Sequence, residues 1–130
     1  MGRLLPIAHS SVRGSAVTLR EARCLFSRHV ARLIVQAEKL GYDCALGEVV
    51  RDPRIASLNA QAGKGISNSL HLIGLAVDLH LYRDGKYLST TAEHTELGAW
   101  WKAQHPLFRW GGDFTRQDGN HYSMTWEGRA

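Results

Sequence analysis

Apolar residues recur at helical spacing from Ala22 to Leu40: Ala22, Leu25, Phe26, Val30, Leu33, Ile34, Ala37 and Leu40 fall on one face. Thr18, followed three residues later by Glu21, makes a capping-box pair, and Gly41 stands where a helix end needs a left-handed residue. The pattern predicts a helix over 18–40. "YDCALGEVV" then reads as a strand ending at Arg51, and "DPRIASLNAQAG" as a short helix opened by Pro53 and closed by Gly63. "GKGISNS" is a polar loop.

The run Leu75-Ala76-Val77-Asp78-Leu79-His80-Leu81 predicts a strand over 75–82, and Asp84-Gly85 a tight hairpin into a second strand at 86–88. "TAEHTELGAWWKAQHP" reads as a helix capped by Thr91 and ended by Pro106. "RWGGDF" and "RQDGN" are turn-rich, and "HYSMTW" alternates as a final strand. Helices mixed with hairpin-joined strands give an α+β class, a small antiparallel sheet with flanking helices.

No repeat, linker or low-complexity tract interrupts the pattern, so a single domain over 1–130 is expected, with 1–17 as a loosely ordered arm. Hydrophobic residues at 44% and charged residues at 22% fit a globular protein and exclude disordered or fibrous classes. No apolar run approaches the ~20 residues of a membrane span, so no membrane insertion is expected. "MGRLLPIAHSSVRGS" is too weakly apolar for a secretory signal, which places synthesis and folding in the cytosol. Cys24 and Cys44 are read as small core residues rather than a disulfide or zinc pair. The net charge of +4 favours an anionic partner, but scattered arginines without an aromatic-basic motif argue against nucleic acid.

Within the predicted strand at 75–82, an aspartate and a histidine stand among aliphatic residues, and a buried ionisable group needs a partner. Of the seven histidines, His71 and His121 stand beside carboxylates at loop–strand junctions: His71 lies seven residues before Asp78, and His121 three after Asp118. Two imidazoles and a carboxylate form a tetrahedral zinc site with one position open to water, and a further carboxylate, Asp118, suits a general base. Spacing alone also allows a plain strand with a salt-bridged aspartate. Trp100 and Trp110 are read as core or cleft wall, Asp113 as a turn hydrogen-bonder, and His80 as a supporting or exposed side chain.

"SLHLIGLAVD" at 69–78, followed by "WGGDF…DGNHYSM" at 110–124, resembles the zinc peptidases of the D-alanyl-D-alanine carboxypeptidase-like group. Within it, the chain is most similar to the short phage endolysin branch, the L-alanyl-D-glutamate peptidases, whose fold is shared with hedgehog-type signalling domains. The resemblance covers about 45–126 and implies His71, Asp78 and His121 as zinc ligands. It further implies Asp118 as catalytic acid/base, Arg51 as an oxyanion-stabilising and substrate-binding arginine, and Ser69 as a residue near the substrate.

The implied activity is zinc-dependent hydrolysis of an amide in the peptidoglycan stem, L-alanyl-D-glutamate, by a monomer made in the host cytoplasm and acting on the wall after release. One alternative is a D-alanyl-D-alanine carboxypeptidase or dipeptidase with the same chemistry. Another is a non-catalytic zinc-containing module that binds wall or protein, although such a module has no use for Asp118 or Arg51.

Overall fold

The computed structural model describes residues 17–47 and 70–129. Its first element, α1 (Leu19–Lys39), begins at Thr18, whose side chain accepts from Glu21 N–H while the Glu21 carboxylate accepts from Thr18 N–H, a complete capping box. Ala22, Leu25, Phe26, His29, Leu33 and Ala37 form its buried stripe. Gly41, at φ +90°, turns the chain out of the helix into β1 (Asp43–Leu46).

β2 (Ala76–Arg83) is the central strand. It turns through Asp84 and Gly85, both at positive φ, into the two-residue β3 (Lys86–Tyr87). A 3₁₀ turn over Thr91–His94 leads into α2 (Thr95–Ala103), followed by β4 (Phe108–Trp110) and β5 (His121–Met124). The sheet runs β1-β2-β5-β4, with β3 also on β2, and every described pairing is antiparallel.

β2 has two faces, as its period of two requires. Val77, Leu79 and Leu81 are fully buried toward the helices, whereas Asp78, His80 and Tyr82 are only partly covered on the opposite side. Asp78 therefore does not interrupt the core. It belongs to a polar face whose other side is hydrophobic.

Trp101 of α2 fills the centre of the core, stacked on Phe108 at 4.2 Å between ring centroids and edge-on to Phe26 and Tyr122. Its indole N–H is shared between the carbonyls of Arg109 and Ser123, so the ring also fastens β4 to β5. At the far end of β2, Arg83 donates to the Leu40 carbonyl at 2.8 Å and stacks 4.2 Å over Tyr42, placing a cation at the helix C-terminus.

Several expectations change. Thr90, not Thr91, is the cap before the second helical segment, because Glu93 lies three residues after Thr90 and closes the reciprocal box with it. The first turn there is 3₁₀. "RWGGDF" contains a strand, β4, before its turn. Cys24 is exposed on the outer side of α1 rather than in the core, and Cys44 is half-buried. The predicted helix after Pro53 and the loop before Ser69 lie outside the described residues.

Candidate metal centre

Asp78 and His121 are direct cross-strand partners in the β2–β5 ladder, so their side chains leave the sheet side by side. His71 comes from a 3₁₀ turn over Leu70–Ile73, closed by the Leu75 N–H donating to the Leu70 carbonyl. Gly74, at φ +74°, then redirects the chain into β2. A turn, one left-handed residue and half a strand thus convert a seven-residue spacing into contact. His71 Nε2 lies 3.4 Å, and His121 Nδ1 3.8 Å, from the same oxygen, Asp78 Oδ1.

Each of the three residues offers a ligand atom within 4.8 Å of the others. Two ligands held about 2.0–2.1 Å from a tetrahedral ion stand about 3.4 Å apart, close to both measured separations. Asp78 Oδ1 is buried and accepts no hydrogen bond, an expensive state for a carboxylate oxygen that a bound cation would relieve. Both imidazoles are buried, their rings 5.3 Å apart and steeply inclined, and Phe114 packs on His121 at 5.2 Å. The donor set and its spacing fit a divalent metal.

Asp118 is held beside this cluster by its own turn. The His121 N–H donates to the Asp118 carbonyl at 3.1 Å, closing Asp118-Gly119-Asn120-His121 into a tight turn. Three further bonds latch the loop: Asp118 N–H to the Gly111 carbonyl at 2.9 Å, Leu79 N–H to the Asn120 carbonyl at 2.8 Å, and Trp110 Nε1–H to the Gly119 carbonyl at 2.7 Å. Gly111 touches both ends of the turn, since a Cβ there would lie 2.8 Å from His121 Cβ. The Asp118 side chain reaches solvent. Partial desolvation and then the Asp78 charge nevertheless raise its pKa above the ordinary carboxyl value, while His71 pulls the other way.

A polar pocket of about 130 Å³ adjoins Asp118, walled by Ser89, Thr90, Thr91, Gln117 and Asn120. His94 lines it too, with Nδ1 3.0 Å from the Tyr122 hydroxyl, and burial lowers its pKa. Nothing in the sequence distinguished His94 from the other histidines.

His80 shares the polar face with Asp78 but stands outside the three-residue cluster, its Nδ1 3.2 Å from the Tyr87 hydroxyl. Asp113 does not bond its own turn. It pairs with Lys102 at 2.7 Å, tying the turn to α2. Gly74 approaches Arg23 rather than the cluster. Arg51 and Ser69 lie outside the described residues. The loop latches, Gly111 and Trp110, were read only as turn and filler, although "WGG" is where the sequence signals a close approach.

Residues 62–124, which contain His71, Asp78, Asp118 and His121, match the profile of a family described as D-alanyl-D-alanine carboxypeptidase. The crystal structure of the L-Ala D-Glu endopeptidase ChiX of Serratia marcescens superposes with a TM-score of 0.64 at 21% identity, covering 88% of this chain and 91% of that one. At that identity the likeness is one of fold. No curated protein matches the chain in sequence.

Proposed function

We propose that the chain, whose residues 62–124 match the D-alanyl-D-alanine carboxypeptidase family, is a metallopeptidase of that family and hydrolyses the L-alanyl-D-glutamate amide of the peptidoglycan stem as a zinc enzyme. The observation that carries this is the convergence of His71 and His121 on Asp78 Oδ1, with Asp118 fixed on the same turn as His121.

His71, Asp78 and His121 would hold the ion through Nε2, Oδ1 and Nδ1. When bound, zinc supplies Lewis acidity, which polarises a scissile carbonyl and lowers the pKa of water toward ~7. The chain's residues do the rest. Asp118 takes the proton of the attacking water and passes it to the leaving amine, a role helped by a carboxyl pKa raised toward the working pH. The latches on Gly119 and Asn120 keep that carboxyl oriented while the proton moves twice. Arg51 offsets the negative charge developing on the carbonyl oxygen, and Ser69 contributes to substrate binding.

The proposal extends to setting: a phage lytic enzyme, acting as a monomer, made in the host cytoplasm and released to the wall. Its net charge of +4 complements an anionic wall. The family's description keeps a second reading in view, removal of a terminal D-alanine by the same groups.

Purified peptidoglycan separates the two. The protein is assayed as isolated, after chelation, and after zinc is restored, and the fragments are identified by mass. Clearing that is lost and recovered, with new L-alanine C-termini and D-glutamate amines, supports the endopeptidase. Release of D-alanine alone supports the carboxypeptidase. A chelated protein that cuts at the full rate would overturn both.

A further inference from the structure

α1 turns Ala22, Leu25, Phe26, Leu33 and Ala37 toward the sheet, which leaves Arg20, Arg28 and Lys39 exposed on its outer side with Arg32 on the flank. The helix carries Arg20, Arg23, Arg28, Arg32 and Lys39 against Glu21 and Glu38, five positive charges less two negative, hence +3. That is most of the chain's net +4. Glu21 is also engaged in the cap with Thr18. No described residue forms an ion pair with Arg20, Arg28 or Arg32.

The same surface is not uniformly polar. Arg28, Arg32, Gln36 and Lys39 line a depression of about 450 Å³ together with Ala31, Val35 and Trp100, whose lining is mostly apolar, and Val35 is 50% exposed. We propose that this face docks on the surface of an anionic phospholipid bilayer. Cations alone suit any polyanion. Apolar lining beside them suits an amphiphile, whose phosphates meet the guanidinium groups while its glycerol and upper acyl carbons cover Val35 and Trp100. A hydrophilic wall polymer would use the cations and leave the apolar lining bare.

The fold gives this docking a consequence. Val77, Leu79 and Leu81 face the helices, and Asp78 projects from the other side of the sheet next to His121. The sheet therefore stands between α1 and the metal cluster. A chain lying on the bilayer through α1 presents its cluster outward.

Co-sedimentation with vesicles tests the proposal, using the full chain with vesicles of phosphatidylcholine alone or mixed with phosphatidylglycerol, and soluble poly(glycerol phosphate) as competitor. Binding is expected to the mixed vesicles only, and to weaken with salt. Arg28→Gln/Arg32→Gln is expected to lower it about 25-fold, roughly fivefold per cation. Arg28→Lys/Arg32→Lys retains it. Val35→Ser weakens vesicle binding but not polymer binding, and the blue shift of tryptophan emission on docking is absent in Trp100→Phe. All these variants should keep the wild-type melting temperature and the wild-type rate on a soluble stem peptide. Equal binding to phosphatidylcholine, or no loss in the double Gln variant, overturns the proposal. Polymer binding as tight as vesicle binding, with Val35→Ser without effect on either, assigns the face to a hydrophilic polyanion and also overturns it.

Discussion

Gly111→Ala tests whether the turn latch sets the chemistry. Gly111 is buried, and its carbonyl accepts the N–H of both Phe114 and Asp118. A Cβ at this position would lie 2.8 Å from His121 Cβ and 3.0 Å from the Asp118 carbonyl carbon, and nearer still to that carbonyl's oxygen. Carbon atoms in ordinary contact stand about 3.5–4.0 Å apart, so the neighbours must retreat by roughly 1 Å. What blocks the methyl is backbone, which cannot swing aside as a side chain can. The turn is also held from the other side through Gly119 and Asn120. The displacement therefore falls on His121 and Asp118 together.

A misplacement of about 1 Å in catalytic groups costs on the order of 100-fold in rate, about 2.7 kcal/mol. Zinc affinity should fall about 10–100-fold, as for other changes that shift a ligand's support. Overpacking should cost about 1–3 kcal/mol of stability, a melting temperature lower by roughly 5–10 °C. The assay is kcat/KM on a soluble stem peptide at saturating zinc, well below the variant's melting point, with zinc affinity measured by competition. Gly128→Ala is the control. Gly128 has φ +78° and nothing within 4 Å of its would-be Cβ, so alanine there costs about 1 kcal/mol of backbone strain without reaching the site. Wild-type rate and zinc affinity in Gly111→Ala would refute the reasoning, as would an equal rate loss in Gly128→Ala.

Asp118→Asn should bind zinc as the wild type does but lose about 10²–10⁴ in kcat, which zinc titration and single-turnover rates measure together. Its folded-state pKa is raised above 3.8, so the native state holds the proton longer than the unfolded chain. Stability of the metal-free protein should fall as pH rises through that window, and Asp118→Asn should remove this fall from denaturation curves. Asp78→Asn should lose most zinc affinity by competition titration, because it takes away the charge that both imidazoles approach. His94 has the opposite sign. Its folded-state pKa lies below 6.5, so its contribution is full above that pH and is lost as pH falls through the folded value. Metal-free wild type should therefore be destabilised more steeply below pH 6.5 than His94→Gln in matched urea titrations.

Local signals were the most legible in the sequence. The capping box at Thr18 and the Asp84-Gly85 hairpin each rest on a few neighbouring residues, and both stand in the structure as read. Where two local readings competed, spacing decides: Thr90 and Thr91 are both capping residues, but only Thr90 has Glu three positions on. β4 escaped notice because three residues between Pro106 and Gly111 show no period. Cys24 was misjudged because smallness counted more than its helical angle, which places it among Arg20, Ser27 and Arg28.

The site was legible for a different reason. Asp78 and His121 are 43 positions apart, and no propensity dictates that β2 pairs with β5 in the register that puts them opposite. Spacing alone allowed a plain strand with a salt-bridged aspartate; the motif resemblance that joins His71, Asp78, Asp118 and His121 pointed there. What the sequence could not convey is how the core fixes the site. The Trp110 ring packs against Gly98 of α2 and Gly112 of the turn, where a Cβ at Gly98 would lie 2.7 Å from its Cγ. Its N–H holds Gly119, one residue after Asp118. A chain of contacts thus runs from α2 through one indole to the turn that carries Asp118. Hydrophobic burial that stabilises the fold also holds the backbone of the turn on which Asp118 stands. That coupling explains why two bare glycines flank Trp110 in space. Any side chain at either would push the ring away from the Gly119 carbonyl that it holds, and the turn that carries Asp118 would shift with it.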